Sequence, residues 1–256
     1  MKRPENGRYI SWAAGIGALL LWEGAVRVLG VQPWILPAPS MVLAAAASDM
    51  PVILPHMLTT CLTALGGFAA ALAVAFLISI LMDACHTFRA MVYPFMVVSQ
   101  TVPIVFIYPL FLILFGFGIA SRVIVVVLVC FFPIAVNFTD GLDSADRDIL
   151  SLFRSMGSGK VKTFTMVKLP GALPSLFSGL RIAAAYSIIG AVIGEWLGAR
   201  KGIGVYMIRS YRSFATDRVF AAIALVSILS LGVFQIVRLF EKKLIPWQPE
   251  IKGVRT

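Results

Sequence analysis

Long apolar stretches alternate with short polar ones along this chain. Several of them approach or exceed the roughly 20 residues that an α-helix needs to cross a bilayer. We predict transmembrane helices at Ile10–Leu29, Met57–Met82, Met91–Phe115, Val123–Phe138, Ala172–Leu197 and Phe220–Leu239. The pattern therefore predicts an all-α membrane protein with about six spans in one membrane domain.

Proline and polar residues interrupt the third of these stretches. Pro94, Pro103 and Pro109 remove backbone donors, and in lipid the freed carbonyl groups must find other partners. The neighbouring polar cluster consists of Ser99, Gln100 and Thr101. Together with Pro103, these residues either make hydrogen bonds between helices or line a transport pathway, because polar groups within a membrane favour the interior of a bundle.

Composition supports a membrane protein. Of the 256 residues, 59% are hydrophobic and 13% are charged, whereas a soluble protein has about 25% charged residues. The net charge of +10 suits loops that face an anionic leaflet, and its dispersal between the spans does not indicate nucleic-acid binding. Cys61, Cys85 and Cys130 are widely spaced without a CxxC pattern, so we expect no disulfide and no metal site.

The distribution of charge predicts the orientation. Cationic loops usually mark the cytoplasmic side, and the residues around Lys160 and Lys242 are of this kind. The first apolar stretch follows Lys2, Arg3 and Arg8, but it is too long for a typical signal peptide, so we expect a retained span. An even number of spans then places both termini in the cytoplasm.

Two segments are predicted to lie outside. In residues 31–55 only Asp49 is charged, and we expect a short interfacial helix there with Ser40 as its N-cap. Residues 200–218 are basic, which is unusual for an outer segment. Their charge is either balanced by lipid headgroups and by Glu195 or Asp217, or it forms a docking face for an acidic partner or attracts an anionic solute.

The fifth apolar stretch contains two charged residues, Arg181 and Glu195. They are about four helical turns apart and cannot pair with each other. We interpret each as part of a structural or gating ion pair, with direct substrate contact as the alternative. Glu195 precedes Trp196, an aromatic residue of the kind that anchors spans at the membrane surface.

A polar, basic island at residues 151–170 separates the fourth and fifth apolar stretches. Asp146 and Asp148 favour a helix start just before it. Gly157 and Gly159 break that helix, and a second helical stretch is predicted to stop near Pro170. Two short helices with a glycine corner make a compact structure rather than a flexible linker, although an ordinary cytoplasmic loop that only sets topology remains the alternative.

This island resembles the signature loop of ABC importer permeases, with the pattern Glu-Ala-Ala, three residues, Gly, nine residues, Ile, x, Leu-Pro. Gly157 matches the glycine, and Val167, Leu169 and Pro170 match the distal end at the same spacing. Residues 151–153 replace Glu-Ala-Ala, which is a departure from the pattern. The resemblance implies that loop 143–170 couples to an ATPase through Ser151, Leu152, Phe153, Arg154, Gly157, Val167, Leu169 and Pro170.

The same resemblance implies the architecture and the partners. The fold expected is the type I ABC importer transmembrane domain, formed by residues 56–247, after a first span and outer segment at 1–55 and before a cytoplasmic tail at 248–256. Two permease copies, expected to be identical, would form the pathway in a bacterial inner membrane. Two copies of an ATP-binding subunit and an extracytoplasmic substrate-binding protein complete the importer, with membrane lipid around it.

Other motifs narrow the function. The string GSGK at 157–160 is not a phosphate loop, because Val161 follows the lysine and Arg154 stands where a glycine is required. We therefore predict no enzyme activity and no cofactor in this chain, with ATP hydrolysis on a separate subunit. A secondary transporter that works without ATP is the alternative class.

Local strings also resemble one branch of these permeases. LPAPS at 36–40 and the proline-rich third stretch are similar to the nitrate, sulfonate and taurine branch. GEWLGARKGIGVYM at 194–207 looks most like permeases for pyrimidine precursors of thiamine, such as hydroxymethylpyrimidine. Riboflavin, taurine, alkanesulfonate and nitrate are the alternative substrates.

Overall fold

The computed structural model describes residues 6–196 and 198–247, and these residues form helices joined by short turns. The helices are α1 (Asn6–Val28), α2 (Pro39–Ser48), α3 (Met50–Ala84), α4 (His86–Ser99), α5 (Ile104–Phe115), α6 (Ile119–Asp143), α7 (Arg147–Ser155), α8 (Lys160–Thr163), α9 (Leu169–Trp196), α10 (Ile203–Arg212) and α11 (Thr216–Leu244). A π-helical turn, Phe164–Lys168, joins α8 to α9. The described residues contain no strand, which confirms the all-α prediction. The predicted tail, 248–256, and Leu197 at the predicted end of the fifth span lie outside them.

Among residues 6–196 and 198–247, four stretches of helix are long and apolar enough to cross a membrane. They are α3, α6, α11 and the continuous helix from Lys160 to Trp196. A fifth candidate is the pair α4 and α5, which meet at an angle of 106°. Helix α1 covers the predicted first span, but Glu23 and Arg27 lie near its end. The number of six spans therefore stays a prediction.

The bend between α4 and α5 changes the prediction for the third span. A single interrupted helix was expected over Met91–Phe115, but the helix ends at Ser99 and a new one begins at Ile104. Pro103 is the N-cap of α5, a position where a missing N–H costs nothing. Pro94 and Pro109 stay inside their helices.

The second half of the polar island also differs from the prediction. The helix that begins at Lys160 does not stop near Pro170 but continues to Trp196. Proline removes an N–H and crowds the carbonyl group four residues earlier, here that of Met166. The π-helical turn lies at this point and widens the backbone spacing. We attribute the continuity of the helix to that widening.

The described residues form two compact units. One contains the described part of residues 1–59 with residues 200–227, and the other contains the rest. In the first unit, α2 begins beside α1. Ala38 is the N-cap of α2, so the prediction of Ser40 was wrong. Ser40 instead donates to the Glu23 carboxylate from its backbone N–H (3.0 Å) and its hydroxyl (2.8 Å). Glu23 thus satisfies a free donor at the start of α2 from outside the helix.

The second unit is built on the close packing of α6 against α9. A Cβ on Gly179 would overlap the carbonyl oxygen of Pro133, and one on Gly141 would lie 2.7 Å from the Cβ of Ser175. The two helix backbones therefore approach to a distance that only glycine allows. Because α6 ends at Asp143 and α9 begins at Leu169, residues 144–168, which include most of the polar island, lie between two closely packed helices.

Candidate functional site

Helix α7 is a well-capped element that leads into the island. The Asp146 carboxylate accepts a hydrogen bond from the Asp148 N–H (2.8 Å), as expected for the predicted helix start. At the other end, the Ser158 N–H donates to Phe153 and the Gly157 N–H donates to Arg154, both at 3.0 Å. These two bonds form a Schellman motif, which needs a left-handed residue after the cap.

Gly157 supplies that left-handed residue with φ of +71°. A Cβ at this position would meet no atom within 4 Å. The requirement for glycine is therefore conformational and not one of space. Gly159, two residues later, has an ordinary φ of −70°. Of the two glycines, only Gly157 has the left-handed conformation that the turn requires.

The surface of α7 carries an apolar stripe that the chain does not cover. Ile149, Leu152 and Met156 are exposed, the last two to 58% and 75%. Their spacing of three and four residues places them on one face of the helix. Arg154 is exposed as well, and Phe153 is half-buried. An uncovered apolar stripe with flanking cations on a rigid helix is typical of a docking surface for another protein.

Ion pairs connect the base of the island to its neighbours. The Lys168 ammonium, in the π-helical turn, lies 2.6 Å from the Asp83 carboxylate at the end of α3. Arg89 in α4 lies 2.6 Å from Asp143 at the end of α6. Lys168 thus ties the island to α3, and Arg89 ties α4 to the end of α6, which precedes the island. These pairs are 85 and 54 residues apart along the chain, and no local pattern indicated them.

The distal signature residues lie where the island joins α9. Val167 belongs to the π-helical turn, and Leu169 and Pro170 open α9. Val167, Leu169 and Pro170 are all half-buried, whereas Ser151 and Leu152 on α7 are exposed. The proposed coupling residues therefore divide into an outward-facing group on α7 and a supporting group at the start of α9.

Arg181 and Glu195 have separate partners. The guanidinium of Arg181 forms an ion pair with Glu241 near the end of α11 and donates to the hydroxyl of Ser178 (2.9 Å). Glu195 is only 1% exposed and accepts a hydrogen bond from the Thr60 hydroxyl (2.8 Å) in α3. Both residues thus join α9 to another helix, Arg181 through an ion pair and Glu195 through a hydrogen bond from a neutral hydroxyl group.

The polar cluster of the third span lies at the bend between α4 and α5. The Ser99 hydroxyl donates to the Met96 carbonyl group (2.7 Å), and the Thr101 hydroxyl donates to that of Val98 (2.8 Å). Gln100 is the C-cap of α4 and is exposed, as are Ser99, Thr101 and Pro103. These hydroxyl groups thus bond to backbone carbonyl groups in the last turn of the helix, where the Val98 carbonyl group also accepts the Thr101 N–H (3.0 Å). The cluster faces outward from this chain.

The basic segment 200–218 contains a helix, α10, that the sequence did not predict. Asp49 holds it by accepting a hydrogen bond from the Tyr206 hydroxyl (2.9 Å) and an ion pair from Arg218 (3.0 Å). Burial and the bond to Asp49 raise the pKa of Tyr206 above its usual range. The His56 ring accepts from the Gly202 N–H (2.9 Å). The counterion of Arg218 is thus Asp49 and neither Glu195 nor Asp217.

The apolar spans, the absence of a strand in the described chain and the capped island define an α-helical, multi-pass membrane protein. Residues 75–246 match the family described as binding-protein-dependent transport system inner membrane component. The chain belongs to this family. It is a permease component of an ABC transporter for a small solute, and it has the type I importer membrane fold.

Several relatives and several solved structures are similar to the chain. The formylaminopyrimidine transport permease ThiX of Halalkalibacterium halodurans is 37% identical over 90% of this chain and 92% of its own length. The riboflavin permease RibX of Chloroflexus aurantiacus is 30% identical over 90% and 87%. The taurine permease TauC of Escherichia coli is 30% identical over 96% and 92%. A crystal structure of an amino acid ABC transporter has a TM-score of 0.64, with 14% identity over 78% of this chain and 97% of that one, and it supports the fold alone.

Proposed function

We propose that this chain forms the translocation pathway of an ATP-driven importer for a pyrimidine precursor of thiamine. The proposal for the substrate rests on the 37% identity to a formylaminopyrimidine permease over nearly the full length of both chains. Identity to the riboflavin and taurine permeases is 30% in each case. Riboflavin, taurine and sulfonates are therefore the competing substrates.

The exposed stripe on α7 docks, in this proposal, into a groove on a separate ATP-hydrolysing subunit. Leu152 and Met156 supply the apolar contact, and Ser151 and Arg154 supply polar contacts beside it. Phe153 and Val167 support the corner from inside, together with Leu169 and Pro170. The importer then contains two ATPase subunits, one for each permease copy. The close packing of α6 and α9 supports this mechanism, because rigid arms can transmit a movement of the docked helix into the membrane.

Transport proceeds by alternating access in this proposal. ATP closes the ATPase dimer and moves two coupling loops together, which opens the pathway outward, and hydrolysis resets it. The Arg181–Glu241 ion pair and the Glu195–Thr60 hydrogen bond tie α9 to α11 and α3 within one unit. We assign them to gating, since a change in pathway shape must alter contacts between helices. Ser99, Gln100, Thr101 and Pro103 face the pathway or the second permease copy.

The orientation and the surroundings complete the proposal. Residues 56–247 form the permease domain, both termini face the cytoplasm, and loop 143–170 lies on that side. The many exposed apolar side chains of α3 and α11, such as Leu62 and Leu231, fit contact with lipid or with a second, identical copy. The binding protein delivers substrate from the opposite side.

An uptake assay tests the substrate. Cells that depend on this importer receive labelled formylaminopyrimidine or hydroxymethylpyrimidine, with unlabelled taurine or riboflavin as competitors. We expect uptake of a pyrimidine that unlabelled pyrimidine suppresses and taurine does not. Uptake suppressed by taurine or riboflavin alone would reject the pyrimidine and assign the competing substrate, without affecting the assignment as a permease.

A further inference from the structure

Helices α7 and α10 end in the same hydrogen-bond motif, but only α7 uses glycine in it. At the end of α10, the Ala215 N–H donates to Ser210 (3.0 Å). The Phe214 N–H donates to Tyr211 (3.1 Å). These bonds form the Schellman motif that Gly157 completes after α7. Here Phe214 takes the left-handed position with φ of +58°, as the only non-glycine residue with positive φ in the described chain.

The left-handed conformation of Phe214 is not compensated by burial of its ring. A bulky residue with positive φ is a genuine outlier, and such residues persist where the structure or a function requires them. The Phe214 side chain is 80% exposed, so the ring adds little to the core. The fold would accommodate glycine at this position at lower conformational cost. This outlier points to a role for the ring outside the folded chain.

The residues around Phe214 have the composition of a protein contact. Tyr211 is 73% exposed, and Arg209 and Arg212 are also exposed. The two arginines are three residues apart on one face of α10. Within the described residues no carboxylate lies within ion-pair distance of either one, whereas Arg218 is paired with Asp49. Aromatic residues and arginine are enriched in the centres of protein interfaces, and tyrosine and arginine contribute most often to their binding energy.

Side-chain hydrogen bonds hold α10 at its start, along its length and just after its end. The Tyr206 hydroxyl is bonded to Asp49, and the N–H of Gly202 at the start of α10 is bonded to the His56 ring. The Thr216 hydroxyl, just after the turn, donates to the carbonyl oxygen of Trp34 (2.7 Å). A surface held in one conformation loses less entropy when a partner binds.

We propose that Arg209, Tyr211, Arg212 and Phe214, here called the outer patch, receive an acidic face of the extracytoplasmic substrate-binding protein. The partner supplies carboxylates to the two arginines and an apolar recess to the Phe214 ring. Lipid headgroups could neutralise arginine, but they do not require a ring fixed at a strained turn. This inference rests on the proposed function, because it requires that α10 face the outside and that the importer use a binding protein.

A binding measurement with the assembled importer tests the outer patch. The complex of permease and ATPase is placed in nanodiscs of neutral lipid and, separately, of anionic lipid, and the affinity of the purified substrate-binding protein of this importer is measured at low and high salt. The variants are the double change Arg209→Gln with Arg212→Gln, and Phe214→Gly. Arg238→Gln, which removes a cation near the other end of α11, is the control. Basal ATPase activity and thermal stability are recorded for each.

We expect the double arginine variant to bind about tenfold more weakly at low salt, with a smaller difference at high salt, because screening weakens charge contacts. We expect Phe214→Gly to weaken binding by about tenfold as well, without lowering the melting temperature, since it removes backbone strain. A purely structural role predicts unchanged affinity for this variant. The control should bind as the wild type does, and basal ATPase activity should be unchanged throughout.

Several results would overturn the proposal. Equal affinity of all variants, with a wild-type complex that binds the binding protein, would reject the outer patch and leave the permease assignment intact. Variants that change the oligomeric state, or that differ from wild type only in anionic lipid, would assign the surface to a second copy or to headgroups. If no ATPase subunit could be recovered with the wild-type chain, the proposed function would be rejected together with this inference.

Discussion

Replacing Gly157 by alanine isolates the role of the corner after α7. Gly157 has φ of +71°, and a Cβ there would meet no atom within 4 Å. Alanine therefore adds conformational strain without a clash. A left-handed residue with a Cβ costs about 1–2 kcal/mol, which changes an equilibrium by a factor of about 5–30. We expect Gly157→Ala to fold and insert, and to lower transport by a factor in this range.

Three further variants sharpen the test. Gly159 has an ordinary φ of −70° and open space around its Cα, so Gly159→Ala should transport normally. Gly157→Asn should retain most activity, because asparagine tolerates the left-handed conformation. Gly157→Asp places a carboxylate on a basic docking surface, and we expect it to abolish transport while membrane insertion stays intact.

Uptake by proteoliposomes, normalised to inserted permease, provides the measurement. Equal uptake by Gly157→Ala and Gly159→Ala would show that the corner is a tolerant linker and would refute the coupling argument. If Gly157→Ala reduced the amount of inserted protein in proportion to uptake, the effect would be one of folding. Normal uptake by Gly157→Asp would reject the coupling assignment of the island.

Three other contacts give predictions of their own. Lys168→Met should lower the free energy of unfolding by about 1–3 kcal/mol and weaken transport, because it leaves the partly buried Asp83 carboxylate unpaired. The double exchange of Lys168→Asp with Asp83→Lys should restore both stability and transport. Failure of this exchange to restore them would show that the ion pair is incidental. Gly179→Ala should destabilise the protein by about 1–3 kcal/mol through overpacking. Gly171→Ala in the same helix should not, because a Cβ there meets nothing within 4 Å. Equal melting temperatures of the two variants would refute the close approach of α6 and α9. Phe214→Gly should stabilise the chain by about 1 kcal/mol by relieving its positive φ, and a lower melting temperature in detergent would show that the ring supports the fold.

The sequence predicted the helical class and most spans because burial in lipid demands long apolar stretches. Their ends were less predictable. Helix α3 begins at Met50 and not at Met57, and α6 extends beyond its apolar run to Asp143. Polar residues can extend a helix past the bilayer, where water and side chains satisfy the backbone. Hydropathy alone does not indicate the residue at which such an extended helix ends.

Pro103 lies at a real break between helices, whereas Pro170, where a helix end was predicted, does not. Pro103 marks a real break, since the chain turns by 106° between α4 and α5. Pro170 marks no break, because the π-helical turn before it absorbs the missing hydrogen bond. A π-helical turn has no reliable sequence signal, so the continuity of the helix from Lys160 could not be predicted.

The sequence did not reveal which polar residues far apart along the chain pair with each other. The ion pairs of Lys168 with Asp83 and of Arg181 with Glu241 join residues 85 and 60 positions apart. Glu23 was visible as a charge in the first predicted span, yet nothing indicated that it would cap α2. Gly157 was identifiable because its signature spacing and its position after a short amphipathic helix both favour a left-handed turn.

Co-purification of the intact chain tests the central claim, that α7 docks on an ATPase subunit. The tagged chain is extracted from its native membrane in mild detergent, and the copies of each associated protein are counted by mass spectrometry. We predict one ATPase copy per permease for the wild type, and its loss when Leu152→Asp and Met156→Asp disrupt the exposed stripe without touching the core. A chain that emerges alone even after crosslinking, or a double variant that retains its full complement of ATPase, would contradict the account.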